Sequence, residues 1–124
     1  MKPPFEDLDN RRPVWLAMSD FFLDTELQPE DHDRIAAVLA RSPYSMEELR
    51  RILYREVYPA CIVNLKSFVG VWTAIDVDWI EEQVRDNLRK PWKAWGLLQW
   101  GRWMIWRHWF AVKRRVARIR GGPP

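Results

Sequence analysis

Ser45-Met46-Glu47-Glu48-Leu49-Arg50-Arg51-Ile52-Leu53-Tyr54-Arg55-Glu56-Val57 carries the clearest fold signal in the chain. A serine followed three residues later by a glutamate forms a capping box. The hydroxyl accepts an amide of the first helical turn, and the carboxylate reaches back to the amide of the capping residue. Tyr44 and Leu49 flank the cap as a hydrophobic staple. Leu49, Ile52, Leu53 and Val57 then recur at helical spacing, which predicts a helix with one face in a core and a stop or kink at Tyr58-Pro59.

Similar signals recur on both sides. Pro13 suits a first helical turn, and Val14, Trp15, Met18, Phe21 and Phe22 follow at helical spacing, so a helix is predicted over about 13–24. Pro29 opens a second helix with Ile35, Ala36, Val38 and Leu39 on its apolar stripe, ended by Ser42-Pro43. Beyond Pro59, Ile62, Leu65, Phe68 and Val69 predict a helix ended by Gly70, and Val71–Ile75 reads as loop. Asp76 or Asp78 caps a fifth helix bearing Ile80, Val84 and Leu88. From Pro91 nothing forces a stop before Ile119, although Gly96 and Gly101 each cost about 1 kcal/mol relative to Ala. In this last helix Trp92, Trp95, Trp103, Trp106 and Phe110 share one stripe; Leu98, Ile105, Trp109, Val112 and Val116 lie beside it.

The expected fold is all-α: a compact bundle of five or six short helices with a longer Trp/Arg-rich C-terminal helix. Residues 1–11 form an N-terminal extension, 12–120 a single helical domain (acidic body 12–88, basic helix 89–120), and 121–124 a disordered tail. A chain of 124 residues with 48% apolar and 30% charged side chains can bury a core of its own. The net charge of +3 conceals a division. All 17 acidic residues lie at or before Asp86, whereas half of the 20 Lys and Arg lie beyond it. Nine tryptophans are far above ordinary usage, and six fall between Trp92 and Trp109.

Acids and prolines at the amino terminus do not make a secretory signal, and no apolar run approaches the roughly 20 residues that cross a bilayer. Cys61, the lone cysteine, falls in the apolar run Ala60-Cys61-Ile62-Val63 and reads as a small core residue. These features predict a cytoplasmic protein. They also predict no enzyme. His32 and His108 have no Cys or second His at ligand spacing, so no metal is expected. Ser19, Ser42, Ser45 and Ser67 mostly read as caps and turn residues rather than nucleophiles. The carboxylate pairs Asp24 with Glu26, Glu30 with Asp31 and Asp76 with Asp78 sit at predicted helix ends, where first-turn amides stabilise them. No cofactor is expected.

Two surfaces remain. Between Pro13 and Asp33 there is no Lys or Arg, while Asp20, Asp24, Glu26, Glu30, Asp31 and Asp33 supply six negative charges that would steer a basic protein partner. The bland alternative is a solvated helix-turn-helix edge. The tail from Arg89 to Arg120 combines ten positive charges and six tryptophans with no acid. Trp95, Arg102, Trp103, Trp106, Arg107 and Arg114 would contact an anionic membrane or, as the weaker option, nucleic-acid phosphates and bases. Against both stands packing of the Trp face on the body as the final core helix, favoured because the body's helices are short and need a cover.

Pro13-Val14-Trp15-Leu16-Ala17-Met18-Ser19-Asp20-Phe21-Phe22-Leu23-Asp24-Thr25-Glu26-Leu27 resembles the opening of a small bacterial family of uncharacterised proteins. Ser42-Pro43-Tyr44-Ser45-Met46-Glu47-Glu48-Leu49 and Glu56-Val57-Tyr58-Pro59 are similar to its next two blocks. The resemblance covers 12 to about 88 and implies bacterial origin and a compact helical body; the tail lies outside it. From the residues, the leading expectation is a non-enzymatic binding protein, most concretely an immunity-type inhibitor that neutralises a basic toxin through its acidic face. The alternatives are a membrane-surface adaptor acting through the tail and a nucleic-acid-associated regulator.

Overall fold

The computed structural model describes residues 1–23, 27–63, 77–89 and 95–121. Every regular element among them is helical: a 3₁₀ turn at Pro4–Glu6, α1 (Leu8–Leu23), α2 (Pro29–Arg41), α3 (Met46–Ile52), a π-helical turn at Leu53–Val57, α4 (Tyr58–Val63), α5 (Val77–Arg89) and α6 (Trp95–Ile119). The all-α expectation holds, with α6 the longest helix. α1 packs against α2, α4, α5 and α6, and the most extensive helix pair among the described residues is α2 with α6. Trp15, Met18, Ile35, Leu39, Leu49, Ile52, Leu53, Tyr58, Ile80, Val84, Val112 and Val116 form the fully buried centre.

The Ser45 capping box is formed as predicted. Ser45 Oγ accepts the Glu48 amide at 3.1 Å, and Glu48 Oε1 accepts the Ser45 amide at 2.9 Å. Ser45→Ala should lower stability by about 1 kcal/mol in urea denaturation; an unchanged midpoint would mean that solvent replaces the cap without loss. Asp31 closes a similar reciprocal contact on Gln28 at the start of α2. Ser42 caps the end of α2 and donates its hydroxyl to the Leu39 carbonyl, whereas Ser19, read as a cap or turn residue, lies inside α1 and donates back to the Leu16 carbonyl. Cys61 is buried, and desolvation pushes its thiol far above the ordinary range, which makes it an inert core residue.

Several boundaries differ from expectation. The first helix starts at Leu8 rather than Pro13, because the Asp7 carbonyl accepts the amides of Asn10 and Arg11 and so begins the helix a turn and a half earlier. Residues 8–11 are therefore the first turn of α1. At Tyr58-Pro59 the chain neither stops nor restarts. Pro59 has no amide for the ordinary i−4 bond, and the backbone widens into the π turn, where the Tyr58 amide reaches the Leu53 carbonyl. Leu88 is 44% exposed and lies outside the core that holds Ile80 and Val84. Gly121, at φ +79°, provides the left-handed residue that closes α6. The predicted helix end near Gly70, the loop Val71–Ile75 and residues 122–124 lie outside the described residues.

Candidate interaction surface

The most heavily built polar cluster belongs to the interior. Arg11 on α1 is 1% exposed, and its Nε and Nη2 donate to the two carboxylate oxygens of Glu56 at 3.1 and 3.0 Å. Trp15 Nε1 donates to Glu56 Oε1 at 2.8 Å. Arg11 Nη1 donates to the Lys2 carbonyl at 3.0 Å and to the Tyr44 hydroxyl at 3.3 Å, and the Tyr44 hydroxyl donates in turn to Asp7. Burial works against the Arg11 charge, but hydrogen bonds and the charge of Glu56 outweigh it and raise the guanidinium pKa. Tyr44 is pushed up to about 12 by burial and by its bond to Asp7. The Tyr44 and Asn10 bonds hold the Asp7 carboxyl below its ordinary range. These groups satisfy one another, so the cluster ties α1, the π turn and the 44–45 corner together and presents no reactive atom to a ligand.

The acidic patch is drawn into ion pairs. Arg34, just past the arginine-free window, lies 2.9 Å from Asp20 and 3.6 Å from Asp31. Arg115 of α6 reaches Asp33 at 2.6 Å. Glu30 is exposed in the first turn of α2. Asp24 and Glu26 lie outside the described residues. Three of the six predicted partner-binding carboxylates thus lie in ion pairs with two arginines of the same chain, Arg34 being shared by Asp20 and Asp31.

α6 has two faces. Its buried face is Ile105, Trp109, Val112 and Val116, from the stripe expected to lie beside the aromatic one, together with His108, which that stripe did not include. Trp106 and Phe110, expected to close the core if α6 packs on the body, face outward at 61% and 49% exposure. They stack on each other with ring centroids 5.9 Å apart and 20° between planes, and the Arg114 guanidinium lies 5.9 Å from the Phe110 centroid. Arg107, Lys113, Arg114 and Arg118 are exposed around them. The side chains of Trp95, Arg102 and Trp103, the other predicted contacts, lie outside the described set.

From His108 onward, contacts hold α6 to α2, and the two helices run parallel. His32 Nε2 meets His108 Nδ1 at 3.1 Å, Asp33 meets Arg115, and Arg120 donates to the carbonyls of Leu39, Ala40 and Ser42 at 3.1–3.3 Å. Arg120 satisfies carbonyls at the end of α2 and places a cation at the negative end of its dipole. The histidine pairing was invisible to ligand-spacing rules because the residues are 76 positions apart. Among the described residues there is no group of three or more His, Cys, Asp or Glu able to hold a metal ion, and no helix long and apolar enough to cross a membrane.

Residues 9–119 match the profile of the family described as Domain of unknown function (DUF7079), and the chain belongs to that family. The match runs through α6, so the Trp-rich tail is part of the family's domain and not an addition outside it. No curated protein and no solved structure matches the chain.

Proposed function

We propose that this member of the DUF7079 family is a non-enzymatic adaptor that attaches to an anionic membrane surface through the outer face of α6. The carrying observation is the exposed Trp106–Phe110 stack set among Arg107, Lys113, Arg114 and Arg118 on a helix that contains no acid. An exposed helix face of this composition suits the headgroup region. Aromatic rings enter the boundary between headgroups and acyl chains, while long cationic side chains extend to phosphates. Each Lys or Arg near such a surface contributes about 1 kcal/mol. A cytoplasmic location accords with this reading, because the cytoplasmic leaflet carries the anionic lipids.

Single-stranded nucleic acid fits less well, since the two rings spend part of their stacking surface on each other. The immunity-type reading has less free surface to act through, because Asp20, Asp31 and Asp33 are paired internally.

Cosedimentation with phosphatidylserine-containing vesicles at low salt tests the proposal. Binding should weaken at least tenfold in Trp106→Ala/Phe110→Ala and fall as salt shortens the Debye length, while the melting curve of the variant stays close to wild type. Failure to sediment with anionic vesicles, or equal binding to neutral phosphatidylcholine, would overturn it; a shifted single-stranded oligonucleotide in its place would move the function to nucleic acid.

A further inference from the structure

We infer that Arg50 and Arg51 of α3 form a second cationic row on the surface that meets anionic lipid headgroups, leaving the Trp106–Phe110 stack between this row and the arginines of α6. The inference rests on the membrane reading above and fixes which way the bound molecule is rolled about α6.

The contacts of α6 identify its two flanks. Placed at 100° per residue, Trp106 and Phe110 stand between Lys113 on one side and Arg114, Arg107 and Arg118 on the other. Arg115 lies nearly opposite Lys113 around the helix and pairs with Asp33, so α2 occupies the Arg115 flank. Arg120 follows Lys113 by two turns on the same side and donates to the Ser42 carbonyl at 3.1 Å. Only three residues separate Ser42 from the start of α3 at Met46. α4, which continues α3 through the π turn, packs against α6. α3 therefore flanks α6 on its Lys113 side.

Charge on that flank is in excess. Arg50 Nε and Nη2 donate to the two Glu47 carboxylate oxygens at 3.1 and 2.8 Å, and Arg51 Nε lies 3.6 Å from Glu47 Oε1. The Arg50 hydrogen bonds, together with the charges of Arg50, Arg51 and Lys113, hold the Glu47 carboxyl below its ordinary range. One carboxylate thus answers three exposed cations. Exposed pairs of this kind contribute little to stability, so exchanging Glu47 for a lipid phosphate costs the fold little.

The α2 flank has the opposite character. Glu30 and Asp33 are exposed there, Arg115 is taken up by Asp33, and Arg34 by Asp20 and Asp31. An anionic surface attracts the first flank and repels the second. The body therefore rolls toward α3, and the two rings enter the lipid boundary with cations on both sides of them.

Cosedimentation of the full chain with phosphatidylserine vesicles at low salt tests the arrangement. Arg50→Gln/Arg51→Gln should weaken binding by about tenfold or more, since each cation near such a surface adds to the attraction. Arg34→Gln/Arg41→Gln removes the same charge from α2 and should weaken binding by less than about threefold. Arg50→Lys/Arg51→Lys should stay within about threefold of wild type, because headgroup attraction needs the charge and not the fork that holds Glu47. Glu47→Gln should tighten binding, a gain that no structural role of Arg50 or Arg51 produces. Equal losses in the two Gln pairs, or no gain in Glu47→Gln, would overturn the α3 row while leaving attachment through Trp106 and Phe110 in place. A loss that the Lys pair shares with the Gln pair would assign the two arginines to the fold and overturn the row as well. Wild-type protein that ignores anionic vesicles would overturn the row together with the membrane reading.

Discussion

Glu56→Ala is expected to lower the stability of the domain by about 3–5 kcal/mol, read as a drop in the urea midpoint with an unchanged slope. The loss comes mainly from what is left behind. Arg11 is 1% exposed, and its guanidinium would keep its charge with neither of the two carboxylate oxygens that now receive its Nε and Nη2. Trp15 Nε1 would also lose its acceptor in the core. Arg11→Met/Glu56→Leu should cost much less than the sum of the single changes, because removing both charges removes the desolvation conflict. It should not reach zero, since Trp15 Nε1 and the Tyr44 hydroxyl depend on the same cluster. Additive single and double changes would show that Arg11 finds solvent when Glu56 is absent, and that the cluster is more open than its burial indicates.

The same cluster explains part of what the sequence reading missed. Arg11 precedes Val14, Trp15 and Met18 by three, four and seven positions, and Glu56 follows Ile52 and Leu53 by four and three, so each charge sits on an apolar stripe. That placement was visible. Their pairing across 45 residues was not, because no local rule joins a lone buried cation to a lone buried anion. The elements read correctly were those with self-contained chemistry: the Ser45 box, the Pro29 start of α2 and the break at Ser42-Pro43. The pairing within the acidic patch was equally out of reach of local rules. The window without Lys or Arg ended one residue before Arg34, and Arg115 arrives from a helix 82 positions away.

The orientation of α6 was legible in principle. Two apolar stripes compete along this helix, and aromatic bulk favours the one with Trp106 and Phe110. That stripe, however, runs into Lys113 and Arg114 within the next turn. The stripe with Ile105 and Trp109 continues through Val112 and Val116. Burying the first would desolvate two cations without partners, at a cost larger than the gain from one extra aromatic ring. Continuity of an apolar stripe to the end of a helix therefore decides which face is covered, and size does not.

That argument predicts a sharp contrast between neighbouring tryptophans. Trp109→Ala should destabilise the domain by about 3–5 kcal/mol, because a side chain only 5% exposed leaves a cavity between α6 and the helices beneath it. Trp106→Ala, at 61% exposure, should stay within about 0.5 kcal/mol of wild type. Paired urea denaturation curves at several protein concentrations measure both. Comparable losses at the two positions, growing with protein concentration, would mean that a second copy of the chain covers the outer stripe in solution. A large loss at Trp109 alone leaves Trp106 and Phe110 with no role in folding. An exposed aromatic stack that the fold does not need, among four cations on a helix without acids, then has its explanation in what it touches outside the molecule.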